Sequence, residues 1–137
     1  MGNLARFLTE VSDRPFQWGR HDCLTFADRA VTLQRGRGFV TEWLGHYSSG
    51  RAALLRYRRF AAGSRRYADL IEVADDRLYR KMTLHPDFGD VVARPTEGKG
   101  IGLAFGVATP RGVAFVGDFG LEFKALEPFD KVWGVMP

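Results

Sequence analysis

The sequence has 137 residues, of which 45% are hydrophobic and 13% aromatic, and it contains a single cysteine. This length fits one domain, residues 1–137, and the aromatic content excludes a wholly disordered chain. One cysteine excludes an intrachain disulfide framework and a cysteine-rich zinc site. We also expect no membrane span and no signal peptide, because no apolar run is long enough.

The net charge of +4 is unevenly distributed along the chain. Residues 1–66 carry twelve arginines and five acidic residues, whereas residues 67–137 carry eight basic and eleven acidic residues. Arginine offers a planar fork of donors that suits carboxylates and phosphates. Three interpretations remain open: a solvated helical face, a protein–protein interface and a nucleic-acid surface. The last ranks behind the others, because no recognised nucleic-acid-binding motif is present.

The first half of the chain predicts helices. Apolar residues at helical spacing indicate a first helix through Leu4 and Val11 that ends before Arg14-Pro15, and a second from Cys23 to Val31. Asp22 is a plausible N-cap of the second helix, which Gly36 and Gly38 close. Further on, the sequence predicts one helical turn within 41–47, a helix over 49–62 ended by Gly63, and another helix within 66–82.

From Phe88 onwards the pattern is typical of strands. We expect strands at 89–93, 101–109, 113–116, 121–124 and 131–136, with Pro110-Arg111-Gly112 as a hairpin turn between the second and third. Helices followed by antiparallel strands predict an α+β fold, with N-terminal helices packed on a C-terminal antiparallel β-sheet.

Cys23 is the main candidate for chemistry. At the start of a helix, unpaired amides and the macrodipole favour a thiolate, so the thiol could have a lowered pKa and act as a nucleophile. A free cysteine is also among the most commonly buried residues, and Cys23 lies on the apolar side of the predicted helix. Spacing alone leaves both interpretations open, with packing the commoner case.

The residues around Cys23 resemble a known family. The pattern Trp18-Gly19-x-x-Asp22-Cys23-x-x-Phe26, followed by Gly89-Asp90-Val91-Val92, is similar to the NlpC-like cysteine peptidases of papain-like fold. More narrowly, the chain resembles small phage tail proteins related to those peptidases. This narrower likeness covers roughly residues 10–136 and includes the 46–49 segment, the arginine-rich helix after it, and Val132-Trp133.

The resemblance implies Cys23 as the nucleophile, with Asp22 as a helix cap or cleft residue beside it. Such a thiol needs a histidine as its base, and in active members that histidine starts the second strand. Here the matching stretch, residues 101–107, contains no histidine and no acidic or amide side chain. His21 and His46 are better explained as loop residues. His85 is the best replacement, although it precedes the wrong strand.

Three functions from different classes follow as hypotheses. The first is a structural protein of the phage tail tip or of tail assembly, with a degenerate, non-catalytic peptidase fold. It would be made in the bacterial cytoplasm, located in the virion, and in contact with other tail-tip or hub proteins. The arginines of the predicted helix after residue 49 would then form an interface: Arg51, Arg56, Arg58, Arg59, Arg65 and Arg66.

The second hypothesis is an active NlpC-like cysteine peptidase that cleaves peptidoglycan during cell-wall penetration, supported by the retained Cys23. The third is a nucleic-acid-binding module, supported by the sequence pI of about 9.6 and the arginine cluster. Under every hypothesis we expect no cofactor, no metal site and no membrane contact.

Overall fold

The fold is described from a computed structural model over residues 2–45, 47–64, 70–82, 85–96 and 102–137, apart from the side chains of residues 57, 58 and 60–64. The helices in these ranges are α1 (Gly2–Glu10), α2 (Cys23–Arg35), α3 (Gly50–Ser64) and α4 (Leu70–Arg77), with a 3-10 turn at Thr41–Trp43. None of the described helices is both long and apolar enough to cross a bilayer.

A six-stranded antiparallel sheet forms the second half of the described chain. Its strands are β1 (Tyr79–Lys81), β2 (Val91–Pro95), β3 (Leu103–Thr109), β4 (Gly112–Gly117), β5 (Gly120–Lys124) and β6 (Lys131–Gly134). Their order across the sheet is β1-β6-β2-β3-β4-β5, and each neighbouring pair is antiparallel. The predicted α+β class is therefore confirmed.

The two faces of the sheet are covered differently. On one face α2 packs against β3, and the main core gathers there around Phe105 and Trp133. On the other face a smaller apolar cluster includes Val92, Phe115 and Val132. Because side chains alternate along each strand, Val91 and Ala93 point to the helices while Val92 points away.

Helix α2 begins and ends where the sequence predicts. Asp22 is extended and accepts a hydrogen bond from the Thr25 amide at 2.9 Å, as an N-cap should. Gly36 ends the helix in the left-handed conformation, with φ of +84°, which costs glycine little. The third predicted helix is slightly different, since α3 continues through Gly63 to Ser64.

The helix predicted within 66–82 is confirmed as α4, but the sequence does not predict the strand that follows it. Helix α4 stops at Arg77, and the chain then enters β1, which pairs with β6 through Tyr79 opposite Gly134. Long-range contacts stabilise this strand, because the Arg80 guanidinium lies 5.4 Å from the Trp133 ring. Such partners are distant in sequence, so the local pattern does not reveal them.

The carboxylate of Asp28 fastens α2 to the segment after it. Asp28 is buried and accepts from the amides of Phe39 at 2.7 Å and Val40 at 2.9 Å, and from the Thr41 hydroxyl at 2.6 Å. Hydrogen bonds to a buried charge are stronger than neutral ones, and unpaired buried amides are costly. The turn that carries the buried Trp43 therefore depends on Asp28.

We expect Asp28→Ala to lower the free energy of unfolding by about 3 kcal/mol, because two buried amides and a hydroxyl lose their acceptor. Urea unfolding followed by circular dichroism measures the change. Asp13→Ala is the control, since Asp13 is exposed, and it should change the free energy by less than about 0.5 kcal/mol. Equal effects of the two substitutions would contradict this role of Asp28.

Candidate functional site at the start of helix α2

Asp22 organises the loop that leads into α2. Its two carboxylate oxygens accept from the Gly19 amide at 2.8 Å, the Thr25 amide at 2.9 Å and the Thr25 hydroxyl at 3.0 Å. The Tyr47 hydroxyl also donates to this carboxylate, and burial together with the negative charge raises the pKa of Tyr47. Asp22 therefore joins the loop, the first helical turn and the segment after residue 46.

The Trp18-Gly19 step has a steric explanation. Gly19 has a φ of +80°, and a Cβ at this position would overlap the backbone carbonyl of Tyr47. The neighbouring Trp18 ring packs edge-on against Phe16 and Tyr47. Glycine is thus required where the loop passes close to another stretch of backbone.

Cys23 is the first residue of α2 and is buried, with 9% of its surface exposed. It belongs to the main core, beside Trp43 and Phe105. Burial, with a further contribution from the Asp22 carboxylate, raises the pKa of the Cys23 thiol to about 12, against the weaker opposing effect of hydrogen bonds from backbone amides such as that of Phe105. Of the two interpretations that the sequence left open, the raised pKa favours packing over an activated thiol, because desolvation outweighs the helix dipole.

The strand opposite Cys23 is β3, which follows β2 in the chain and pairs with it. The Phe105 amide donates to the sulfur, and Leu103 packs against the same core. These apolar side chains lie in the stretch where the resemblance places a catalytic histidine. The sulfur consequently faces a strand that offers it a backbone amide and no base.

Neither of the two histidines that the structure describes acts on the Cys23 thiol. The imidazole of His21 packs edge-on against Phe26, in a different apolar cluster from Cys23. His85 is exposed and precedes Gly89, whose carbonyl accepts from the side chain of Gln34 at 2.9 Å.

Gln34 is eleven residues beyond Cys23, which is roughly 16 Å along a helix. Gly89 thus lies towards the end of α2 rather than its start, and His85 is not among the groups that shift the pKa of the Cys23 thiol. His46 lies outside the described residues.

A cavity that the sequence pattern does not predict lies against the same loop. Its volume is about 510 Å³, and its lining includes the side chains of Arg14, Arg20, His21, Thr25 and Arg29. Two signals could have indicated it: three arginines flank the loop and first helical turns, and Thr25 and Arg29 share a helix face at four-residue spacing. What remained unpredictable was the burial of His21.

This chain matches a family model along nearly its whole length. It belongs to the family described as Domain of unknown function (DUF6950), which matches residues 2–135. No curated protein and no solved structure matches it. The DUF6950 assignment thus covers nearly the whole chain, from α1 to the residue after β6, and brings no activity with it.

In this DUF6950 domain the arginines of α3 are placed differently from one another. Arg51 and Arg59 are exposed, whereas Arg56 is partly buried. The side chain of Arg58 and the whole of Arg65 and Arg66 lie outside the described part of the chain. Among the described residues, the predicted arginine surface therefore consists of Arg51 and Arg59, and Arg56 contributes less because it is partly buried.

We expect the thiol of Cys23 to react slowly with a disulfide reagent such as DTNB. The native protein should react at least roughly 100-fold more slowly at pH 8 than the same protein unfolded in urea, because the thiol is buried and protonated. Its rate should still rise between pH 9 and pH 11, since the pKa of about 12 lies above that range. A native rate equal to that of the unfolded chain would contradict the buried, protonated thiol.

Proposed function

We propose that this protein is a structural component of a phage tail, acting at the tail tip or in tail assembly, and that it uses an NlpC-like scaffold without its chemistry. The environment of the Cys23 thiol is the observation that supports the absence of catalysis. This thiol is buried, has a pKa raised to about 12, and faces β3 without a histidine among the described residues that influence it.

The arrangement of elements supports an NlpC-like scaffold. The Trp18-Gly19 loop leads to Asp22-Cys23 at a helix start, Gly89-Asp90 leads into β2, and β3 returns antiparallel to pack against that helix. This is the order in which the resemblance places the nucleophile and the strand of its base. The tail assignment comes from the narrower resemblance to small phage tail proteins.

The chemistry of a cysteine peptidase explains why this site would be inert. The attacking species is the thiolate, and a neighbouring base ordinarily removes the proton. With a pKa of about 12, roughly one thiol in 10⁵ is ionised at pH 7. The Asp22 carboxylate cannot help, since its negative charge also raises the pKa of the thiol.

The exposed side of α3 supports an interface with other tail proteins. Arg51, Leu55 and Arg59 are spaced four residues apart, so they lie along one side of the helix, and Leu55 is 50% exposed. Within the described ranges no acidic side chain forms an ion pair with either arginine. An exposed leucine between two unpaired guanidiniums suits a partner surface with acidic and apolar groups.

An active peptidoglycan peptidase is the alternative, favoured by the retained Asp22-Cys23 pair at the start of α2. We expect purified protein incubated with peptidoglycan to release no peptides above the level of its Cys23→Ala variant, because the thiolate is scarce. Chromatography of the soluble fragments measures the release. Release that needs Cys23 and is blocked by a thiol reagent would establish the peptidase and end the non-catalytic proposal.

We expect the double charge reversal Arg51→Glu with Arg59→Glu to reduce incorporation into phage tails by more than about tenfold, since like charges at an interface cost several kcal/mol. Immunoblots of purified particles and infectious titres measure incorporation. The matched control is Arg6→Glu with Arg37→Glu, because both residues are exposed and the change in net charge is identical. Normal particles from the first double variant would exclude this side of α3 as the tail interface.

A further inference from the structure

His21 is buried, and its imidazole has no hydrogen-bond partner in the described part of the chain. Only 2% of its surface is exposed, and neither Nδ1 nor Nε2 bonds to a described residue. Its backbone, by contrast, is fully engaged, because its amide and carbonyl both pair with Gln17. Buried polar side chains are nearly always satisfied in folded proteins, so an imidazole with two unpaired nitrogens indicates a group that is supplied from outside the chain.

The cavity beside His21 is strongly positive. Arg14, Arg20 and Arg29 line it, and none of the three forms an ion pair with an acidic residue in the described ranges. No carboxylate is among the described residues that line it. All three arginines are exposed and carry the same charge, so an anion in the cavity would be attracted to each of them.

Acidic groups do lie nearby, and their positions limit their effect. Asp22 is buried, and its carboxylate oxygens accept hydrogen bonds from the amides of Gly19 and Thr25. A neighbouring groove shares Arg14 and Arg29 with the cavity and contains Glu10 and Asp28. Asp28 is saturated by three donors of its own, and Glu10 is exposed and forms no ion pair with Arg14 or Arg29.

We propose that this cavity binds a phosphate-class oxyanion, a small phosphate or phosphate monoester, held by Arg14, Arg20 and Arg29 with the ring of His21 as a further hydrogen-bond partner. The site goes beyond the proposed tail function and does not depend on it. Its volume of about 510 Å³ lies within the range of small-ligand sites.

The charge and shape of the cavity select this class of ligand. A dianion can accept from several guanidinium forks at once, whereas a lone carboxylate has two oxygens and a single charge. A nucleic-acid backbone would need cations spread along an open surface, and here the three arginines line one concavity. Thr25 adds no donor, because its hydroxyl and amide are already committed to Asp22.

The protonation of His21 responds to such a ligand. Burial, then the charges of Arg14 and Arg29, lower the pKa of His21 against the opposing charge of Asp22, so the ring is neutral at neutral pH. A neutral ring carries one N–H, and an oxygen of a phosphate bound in the cavity can accept a hydrogen bond from it. A dianion in the cavity favours the imidazolium, so phosphate should raise the pKa of His21.

The test is a titration of the whole protein with inorganic phosphate at low ionic strength, followed by calorimetry and by NMR of the histidine rings. We expect binding with a millimolar or lower dissociation constant, together with an upward shift of the His21 pKa. His21→Phe identifies the His21 signals by their loss. Arg29→Gln should weaken binding by roughly tenfold or more, because it removes a charge-assisted hydrogen bond. Arg6→Gln is the matched control, since Arg6 is exposed and lies outside the cavity.

His21→Phe also separates a ligand role from a structural one. If its nitrogens serve the ligand, this variant should lose phosphate binding while its melting temperature stays the same or rises, because an apolar ring of similar shape replaces an unsatisfied one. A variant that melts well below the wild type would show that His21 is needed for folding instead, and would overturn the proposal.

Four further results would overturn it. They are no phosphate binding by the wild type, an equal loss in Arg6→Gln and Arg29→Gln, acetate binding as tight as phosphate binding, and displacement of phosphate by a single-stranded oligothymidylate that binds more tightly. The second would indicate general charge attraction, the third a carboxylate site, and the fourth a nucleic-acid surface.

Discussion

The carboxylate of Asp22 is the constraint on which the site depends. One side chain caps α2, holds the amide of Gly19 in the loop before it, and receives the hydroxyl of Tyr47 from the segment after residue 46. Three separate stretches of chain therefore share a single buried charge. Because an ionised carboxylate is stable in the interior only when donors surround it, the loop, the helix start and Tyr47 support one another's positions.

This constraint also decides what Cys23 can do. The amide of Thr25, which could stabilise an anion at the helix start, is already occupied by Asp22. The sulfur belongs to Cys23, the residue after Asp22, and lies in an apolar core near the negative charge of the Asp22 carboxylate. The remaining stabilisation from the Phe105 amide and the first helical amides is weaker than the cost of burying a thiolate. A helix N-terminus therefore activates a cysteine only where its amides are available and solvent or a base is near.

The sequence predicts local features well and distant ones poorly. The start of α2 at Asp22 and its end at Gly36 follow from side-chain and backbone preferences that act within a few residues. Strand β1 depends on Gly134 and Trp133, more than fifty residues away, so the local pattern of Tyr79–Lys81 does not predict a strand. The cavity is not predictable from sequence for the same reason. A loop histidine is ordinarily exposed, and the burial of His21 follows only from the packing of the loop against α2.

Helix α2 lies between two environments, the main core and the cavity, and contributes different residues to each. Cys23, Ala27 and Val31 face the main core, whereas Thr25 and Arg29 line the cavity that contains His21. The two faces of α2 therefore meet different surroundings, although one helix carries both. Asp22 belongs to both environments, because it caps the helix that carries Cys23 and holds the amide of Gly19, which lines the cavity. The buried carboxylate is thus needed for the architecture of both faces, independently of whether the thiol has any chemistry.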